Sequence, residues 1–345
     1  MQLKVYLIRV NNKMVEKKEK RLTPSEIEED KKINLRPKKI EEFIGQDSIK
    51  SNLQTFIKSS IKRKKNLDHI ILYGPPGLGK TTLANIISHE KNVNIHVTSG
   101  PAFSKKGDLV TLLSNLANGD ILFIDEIHRL SPIIEETLYP AMEDFKCDYI
   151  IGAGPSARVM QISIEKFTLI GATTRLGLLS RPLRDRFGIP LQLEFYMPEN
   201  LKEIIILNAN KLNIPIETSA AFEVAKRSRG TPRIAIRLLK RIIDFSVVED
   251  CSEITMNTVL KSLKQMRIDS EGLDEMDRKY LTCISNDYNG GPVGVETLSA
   301  ALLEQRDIIE DVIEPYLMQR GLVQRTSRGR ILSKKGLIHI GEGFK

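Results

Sequence analysis

The sequence predicts three folded parts: a doubly wound α/β domain with a parallel sheet, a small all-α domain, and a C-terminal winged-helix domain. Three observations support this prediction. Short aliphatic runs alternate with helical stretches from about residue 40, strand-like runs stop after Met197–Pro198, and helices precede a two-stranded pattern near the C-terminus. A chain of 345 residues can hold two or three cores, because single cores stop growing well below this length.

The α/β domain is predicted from aliphatic runs at His69–Tyr73, Ile121–Ile124 and Phe167–Gly171, which are separated by longer helical stretches. This alternation is typical of a parallel sheet covered by helices. After these runs, Glu199–Leu212, Ser219–Arg229 and Arg233–Val248 have the period of amphipathic helices. They predict the all-α domain.

The C-terminal part begins with a predicted connector at Glu271–Asp277 and a helix at Arg278–Ser285. Helices at Val295–Leu303 and Asp307–Arg320 follow, and Leu322–Leu332 has the pattern of a short hairpin. Helices followed by a two-stranded wing favour a winged-helix fold. The predicted boundaries are 1–34 for an N-terminal extension open to disorder, 35–197 for the α/β domain, 198–268 for the all-α domain, and 269–345 for the winged helix.

Composition restricts the function only broadly. The chain carries 52 Lys and Arg against 44 Asp and Glu, and this surplus favours a polyanionic partner if it is concentrated on one surface. Three separated cysteines, Cys147, Cys251 and Cys283, have no metal-ligand spacing and indicate a reducing, cytoplasmic compartment. No apolar run approaches the roughly 18 residues of a membrane span, so no membrane association is expected.

A phosphate-binding loop is predicted at Gly74–Thr81, whose sequence GPPGLGKT fits the pattern G-x-x-x-x-G-K-[ST]. The loop lies between a predicted strand and a predicted helix, which is the context this motif requires. Glycines let backbone N–H groups approach phosphate, Lys80 would reach the β- and γ-phosphates of ATP, and Thr81 would bind Mg²⁺. The candidate nucleotide-binding residues of this motif are Gly77, Gly79, Lys80, Thr81 and Thr82.

Two carboxylates end the aliphatic run at Ile121–Ile124, an arrangement typical of the Walker B motif. Asp125 would hold Mg²⁺, and Glu126 would orient or deprotonate the attacking water. A third strand-like run ends at Thr173 and Thr174. We interpret Thr173, with Thr174 as the alternative, as a hydroxyl that reports the γ-phosphate; either residue could instead be a simple cap.

Eight segments stand in the order found in one family of AAA+ ATPases: GPPGLGKTTLA, LFIDEIHRL, TLIGATTR, PLRDRFGI, RGTPRIA, GLDEMDR, GGPVGVETL and EPYLMQRGLVQRTSRGR. The chain resembles the RuvB family from about Leu35 to Leu332. The Walker motifs alone indicate only a P-loop ATPase, whereas the last two segments favour RuvB. Ile236 departs from the polar residue usual at its position in the family.

The resemblance implies further nucleotide contacts. Arg186 would be an arginine finger that acts on ATP bound by the adjacent subunit of a ring. The resemblance implies that this ring is a homohexamer. Arg233 resembles the sensor-2 arginine, which would couple the ATP state to domain rotation. Positions that line the family's nucleotide pocket are Leu35, Arg36, Glu143, Asp144, Phe145 and Tyr196.

The resemblance also implies partners. Residues 148–158 would form a hairpin that docks RuvA, although a hairpin covering a sheet edge remains the alternative, and RuvC resolvase is admitted as a further partner. Arg306, Arg325 and Arg330 would contact phosphates of duplex and four-way-junction DNA without reading sequence; Arg328 is the less certain neighbour.

These features together predict an ATP-driven DNA motor for Holliday-junction branch migration. A clamp-loader-like or initiator-like ATP switch is the first alternative, and a winged-helix regulator with a vestigial ATPase is the second. The presence of Lys80, Asp125, Glu126, Arg186 and Arg233 argues against the regulator, because no reactive position is missing.

Overall fold

The computed structural model describes residues 35–151 and 158–341 of the chain. These residues divide into two compact units. The first takes its described residues from 1–43, 50–73 and 81–191, and the second from 44–49, 74–80 and 192–345. The predicted extension at 1–34, the predicted hairpin turn at 152–157 and the last four residues lie outside the described part. Within that part, no helix has both the length and the apolar composition needed to cross a membrane.

The first unit is built on the predicted sheet. Its strands, in chain order, are β1 (Ile70–Tyr73), β2 (Ile95–Ser99), β3 (Ile121–Asp125), β4 (Lys146–Ile151), β5 (Arg158–Ser163), β6 (Thr168–Thr173) and β7 (Ile189–Gln192). Five of them form one sheet in the order β2-β3-β6-β1-β7, in which β2, β3, β6 and β1 pair in parallel. β4 and β5 form a separate antiparallel pair.

The central strands are aliphatic because both their faces are covered. All six residues of β6 and the first four of β3 are buried, so neither strand presents a polar face to water. The helices of this part of the chain are α1 (Asp47–Arg63), α2 (Lys80–Lys91), α3 (Lys106–Ser114), α4 (Pro132–Glu143) and α5 (Arg181–Asp185). Apolar side chains of α3, α4 and α5, with Leu122, Ile124 and Phe167 of the sheet side, fill one hydrophobic core.

Two strands escaped sequence prediction. β2 has no fully buried residue, and its Val97 is 58% exposed, so it lacks a continuous aliphatic run. β7 alternates buried and exposed residues over only four positions and contains Pro190. Proline is normally kept out of central strands, and β7 is the last strand of the sheet order, where a missing N–H is tolerated.

The second unit begins its all-α part with α6 (Pro198–Lys211), α7 (Thr218–Lys226) and α8 (Pro232–Val248), the three predicted helices. A fourth helix, α9 (Met256–Gln265), was not predicted. The hydroxyl of Thr255 caps it by accepting the N–H of Thr258, and the helix buries Val259 and Leu263. Met256, Val259, Leu260 and Leu263 have the i, i+3, i+4, i+7 spacing of an amphipathic helix, a signal that the sequence prediction missed.

The winged-helix part follows in the same unit. It contains α10 (Glu275–Thr282), α11 (Val295–Leu302), α12 (Arg306–Ile308), α13 (Glu314–Gln319), β8 (Val323–Thr326), β9 (Gly329–Leu332) and α14 (Lys334–Gly341). π-helical segments, Cys283–Asp287 and Ile309–Ile313, follow α10 and α12. β8 and β9 pair antiparallel as the predicted wing. Gly329 has φ 135°, and a Cβ there would meet the Val293 carbonyl oxygen at 2.4 Å, so glycine is required at this turn.

The predicted connector at Glu271–Asp277 is instead an anchoring point between the all-α and winged-helix parts. Asp274 caps α10, and its side chain accepts the N–H groups of Met276 and Asp277. The guanidinium of Arg229 donates to the Gly272 carbonyl at 3.0 Å and forms ion pairs with Asp274 and Asp277. Because the Asp277 side chain is only 1% exposed, this ion pair is shielded from water.

Candidate functional site

The loop at Gly74–Thr81 has the conformation expected of a phosphate-binding loop. Gly77 and Gly79 have φ values of 82° and 100°, which side-chain-bearing residues adopt rarely. The Lys80 ammonium donates to the carbonyl oxygens of Gly74 at 2.8 Å and Pro75 at 2.9 Å. α2 begins at Lys80, so the loop ends at a helix N-terminus, where the backbone favours an anion.

The start of the all-α part packs on this loop. The Tyr196 hydroxyl donates to the Leu78 carbonyl at 3.2 Å, and the Tyr196 N–H donates to the Gly230 carbonyl at 2.8 Å. The N–H of Arg233 approaches the Gly77 carbonyl at 3.3 Å, and a Cβ on Gly77 would lie 3.1 Å from that of Arg233. Burial raises the pKa of Tyr196 well above its usual range, so it stays a neutral donor. The predicted sensor-2 residue is therefore next to the phosphate-binding loop.

The strand ends of the first unit meet at one edge. Thr173 is paired in register with Tyr73, the last residue of β1, and Asp125 with Ser99, the last residue of β2. Asp125 and Thr173 thus end neighbouring strands, as the parallel topology requires. Glu126 leaves β3 in the left-handed conformation, with φ 51° and ψ 40°, and its N–H donates to Asp125 Oδ1 at 3.0 Å. Such strain in a non-glycine residue is typical of functional sites.

His128, which the sequence interpretation did not single out, connects two of the predicted catalytic residues. Its Nδ1 lies 2.9 Å from the hydroxyl of Thr173, and its Nε2 lies 3.4 Å from Oε2 of Glu126. Thr173 is 1% exposed, and its hydroxyl also accepts the N–H of Arg175. The alternative sensor, Thr174, is half-buried just beyond the strand. The only sequence signal for His128 was its place two residues after Glu126.

Arg186 is held against its own subunit. It follows α5, and its guanidinium donates to the Pro182 carbonyl at 2.7 Å and to Glu143 Oε2 at 3.2 Å. The same group lies 4.5 Å from the centre of the Tyr139 ring, a cation–π contact. The structure therefore brings the predicted arginine finger together with Glu143, which sequence reasoning had placed at the nucleotide for a separate reason.

The remaining predicted pocket residues are spread over the two units. Leu35 is half-buried and Arg36 exposed at the start of the described first unit, whereas Tyr196 belongs to the second. Asp144 is exposed after α4. Phe145 packs edge-on against Phe167 at 6.1 Å, which fits a packing role in this core. Their assembly around a nucleotide stays a prediction.

The three predicted DNA-contacting arginines converge on one carboxylate. Glu310 is contacted by Arg306 at 3.1 Å, Arg325 at 3.3 Å and Arg330 at 2.9 Å. Burial opposes the ionisation of Glu310, but hydrogen bonds from Arg306 and Arg330 outweigh it and lower the pKa of this carboxyl. The Arg306 and Arg325 side chains are 52% and 55% exposed. Their guanidinium groups are accessible to a polyanion.

Arg330 differs from these two arginines in its burial. Its side chain is 6% exposed and is also paired with Glu314 at 2.7 Å. In this conformation it supports the wing from inside, and its predicted contact with DNA stays a prediction. Arg328 is exposed at the turn between β8 and β9.

The β4–β5 pair spans the hairpin predicted for partner docking. Its register runs from Lys146 opposite Ser163 to Ile151 opposite Arg158. Cys147 faces the core of the first unit, whereas Asp148 and Met160 are exposed. The tip of the hairpin lies outside the described residues, so the docking role stays a prediction.

Three family models match consecutive parts of the chain. They are the Holliday junction DNA helicase RuvB P-loop domain at residues 35–193, the RuvB AAA lid domain at 196–269, and the RuvB C-terminal winged helix domain at 270–341. Together they cover almost all of the part of the chain that the structure describes.

Curated relatives and solved structures agree with the family models. The Holliday junction branch migration complex subunits RuvB of Paracoccus denitrificans and Orientia tsutsugamushi are each 55% identical, over 89% and 90% of this chain and 90% and 96% of theirs. The solved Thermotoga maritima RuvB Holliday junction branch migration motor is 51% identical, with a TM-score of 0.83 over 89% of this chain and 98% of that chain.

Proposed function

The chain belongs to the RuvB family, and we propose that it hydrolyses ATP to drive branch migration of Holliday junctions, as a homohexameric ring acting with RuvA. The observation that carries the proposal is the packing of Tyr196 and Arg233 on the phosphate-binding loop, in a unit that also holds the winged helix. A nucleotide on this loop would contact the all-α part, which belongs to the same unit as the DNA-contacting arginines of the winged helix.

The loop residues fit a nucleoside triphosphate with its metal. Gly77 and Gly79 have positive φ values, which suit a loop whose backbone N–H groups bind phosphate, and Lys80 supplies a cation at the helix N-terminus. Thr81 and Asp125 offer the oxygen ligands that Mg²⁺ prefers. Mg²⁺, when bound, would neutralise charge on the β- and γ-phosphates. Thr82, Leu35 and Arg36 complete the proposed nucleotide contacts.

Hydrolysis needs a water aligned with the γ-phosphate. In the proposed mechanism the oxygen of this water bonds to the γ-phosphorus while the bond to the ADP oxygen breaks, giving ADP and inorganic phosphate. The carboxylate of Glu126 orients the water and accepts its proton, which is then released to solvent. No covalent enzyme intermediate is required, because positioning and electrostatics supply the catalysis.

The proposed ring of subunits follows from the proposed role of Arg186 as an arginine finger. Arg186 would stabilise the charge that develops on ATP bound by the adjacent subunit, so each active site would be completed only at a subunit contact. Its contacts with Glu143 and Tyr139 preorganise the guanidinium within its own subunit. Head-to-tail contacts of this kind must close into a ring to avoid open filaments.

DNA would be held through phosphates by Arg306 and Arg325, with Arg330 as a supporting residue whose direct contact remains a proposal. The β4–β5 hairpin would dock RuvA, and RuvC resolvase is a further proposed partner. We propose a cytoplasmic location, which the proposed DNA substrate and the widely separated cysteines support.

Steady-state ATP turnover tests the proposal. We measure phosphate release with and without a synthetic four-way junction for the wild-type protein, Lys80→Ala and Glu126→Gln. We expect DNA-stimulated turnover only in the wild type, with ATP binding lost in the lysine variant and retained in the glutamine variant. Absence of wild-type turnover with DNA present would instead support the vestigial regulator.

Stimulated turnover without movement of the strands would favour the loader-like or initiator-like switch over the motor. Mixing Arg186→Ala subunits into wild-type protein tests whether Arg186 acts on the ATP of the adjacent subunit or on the ATP of its own subunit. If the finger acts in trans, the variant should reduce turnover by its wild-type neighbours. Turnover that falls only in proportion to the added variant would place Arg186 in its own subunit's site.

A further inference from the structure

We propose that His128 is a positioning residue that links Thr173 to Glu126, and thereby fixes the orientation of the carboxylate that acts on the attacking water. The inference rests on the proposed ATP hydrolysis and deepens it. Under this proposal, the orientation of the Glu126 carboxylate depends, through His128, on the position of Thr173 at the end of the neighbouring strand.

The geometry places the imidazole between the two groups. His128 stands on the single helical turn Ile127–Arg129, directly after Glu126 leaves β3 in its left-handed conformation. This turn is fixed by the Arg129 N–H, which donates to the Glu126 carbonyl at 2.8 Å. The His128 side chain is 7% exposed, whereas that of Glu126 is 41% exposed. A buried ring thus contacts an accessible carboxylate.

The hydrogen-bonding pattern gives the link a direction. The Thr173 hydroxyl accepts the N–H of Arg175 at 3.0 Å and lies 2.9 Å from His128 Nδ1. We assign the second contact as a donation from the hydroxyl, because Nε2 then carries the proton that the Glu126 carboxylate accepts. A neutral imidazole that accepts at Nδ1 carries its proton on Nε2. That N–H faces Glu126 Oε2 at 3.4 Å, a contact that is long for a hydrogen bond and can tighten when the reactants are bound.

The contact with His128 restricts the orientation of the Glu126 carboxylate. A carboxylate that is 41% exposed and held only by its own rotamers samples several orientations, and few of these align it with a water on the γ-phosphate. A contact with a buried ring selects one of them. Because Thr173 ends β6 and Glu126 follows β3, a shift of one strand end would be passed to the carboxylate through the ring.

In His128→Ala the Glu126 carboxylate would remain in the site but lose its fixed orientation, and kcat should fall accordingly. Displacement of about 1 Å lowers rates by on the order of 10²-fold, so His128→Ala should reduce kcat by roughly 10- to 100-fold. ATP affinity should stay within about twofold, because His128 belongs to the positioning of the attack and not to phosphate binding.

Two isosteric variants separate positioning from packing. The amide of Gln reaches the place of Nε2 and can donate to Glu126, whereas the shorter Asn can replace only the contact of Nδ1 with Thr173. We therefore expect His128→Gln to recover part of kcat and His128→Asn to resemble His128→Ala. His96→Ala is the matched control, since it removes another histidine–carboxylate contact, with Asp120 at 3.1 Å, at the opposite end of β3.

The experiment compares kcat, ATP affinity measured with a fluorescent analogue, and thermal stability for these variants and for Thr173→Val with and without His128→Ala. Non-additive losses in the double variant and partial rescue by Gln support the link. Equal kcat for Gln and Asn, or parallel losses of affinity and stability, would overturn it and leave a packing residue. Loss of ATP turnover in the wild type itself would instead overturn the proposed function.

Discussion

Arg325→Ala should weaken DNA binding and Arg330→Ala should destabilise the fold, although both remove an arginine from the wing. Arg325 is 55% exposed and has one ion pair with Glu310 at 3.3 Å. Exposed pairs contribute about 0–1 kcal/mol to stability, so Arg325→Ala should fold normally and lose a phosphate contact. Arg330 is 6% exposed and pairs with both Glu310 and Glu314. Removing one partner of such a buried cluster costs about 3–5 kcal/mol.

The salt dependence of DNA binding gives the size of the effect expected from losing the Arg325 phosphate contact. Each phosphate contact adds about 0.9 to the slope of log K against log salt concentration. Raising the salt from about 50 to 200 mM changes its logarithm by about 0.6, so one lost contact changes the salt response by about 0.5 log units, or roughly threefold. The affinity of Arg325→Ala should therefore fall about threefold less than that of the wild type over this range.

Fluorescence anisotropy with full-length protein and labelled duplexes of two unrelated sequences measures these slopes, and thermal melting measures stability. Arg267→Ala is the matched control, because Arg267 is 73% exposed and forms one surface ion pair with Glu275 away from the wing. An unchanged slope in Arg325→Ala would place the DNA contact elsewhere. A reduced slope with unchanged melting in Arg330→Ala would show that Arg330 itself reaches phosphate, against the reading from its burial.

Three further predictions concern the nucleotide site and pH. Glu126→Gln should retain ATP binding, measured by fluorescent-analogue titration, while turnover falls by about 10²- to 10⁴-fold. Arg186→Ala should bind ATP nearly normally and lose about 10³- to 10⁵-fold in turnover, and normal turnover would refute its assignment. Burial outweighs the attraction of Arg229 and raises the pKa of Asp277 from 3.8 to about 7, so the folded state binds its proton more tightly than the unfolded state. Stability from this group is therefore lost as pH rises from about 4 to 7, and melting curves of Asp277→Asn should lack this decline.

The elements that the sequence predicts correctly are those whose structure is determined by a local pattern. The run at Ile121–Ile124 is apolar because β3 is covered on both faces, and the glycines of Gly74–Thr81 have the positive φ values that the phosphate-binding motif requires. The α/β, lid and winged-helix architecture could therefore be predicted. The edge strand Ile189–Gln192 could not, because half of its residues face outward and one is proline.

The details of the site depend on contacts between distant segments, which a single sequence does not reveal. The pairing of Glu143 with Arg186 joins residues 43 positions apart, and Arg330 is buried by carboxylates on a preceding helix. His128 also depends on such a contact, since its role appears only when Thr173 is placed beside it.

ATP-dependent dissociation of a synthetic four-way junction, followed with and without RuvA, tests the proposed motor most directly, with Glu126→Gln as the control that retains the fold. We predict that wild-type protein separates the junction into duplexes in the presence of ATP, that RuvA promotes the reaction, and that the Gln variant leaves the junction intact. Robust ATP hydrolysis stimulated by the junction, with no separation of its strands under either condition, would contradict the motor and identify an ATP-driven switch.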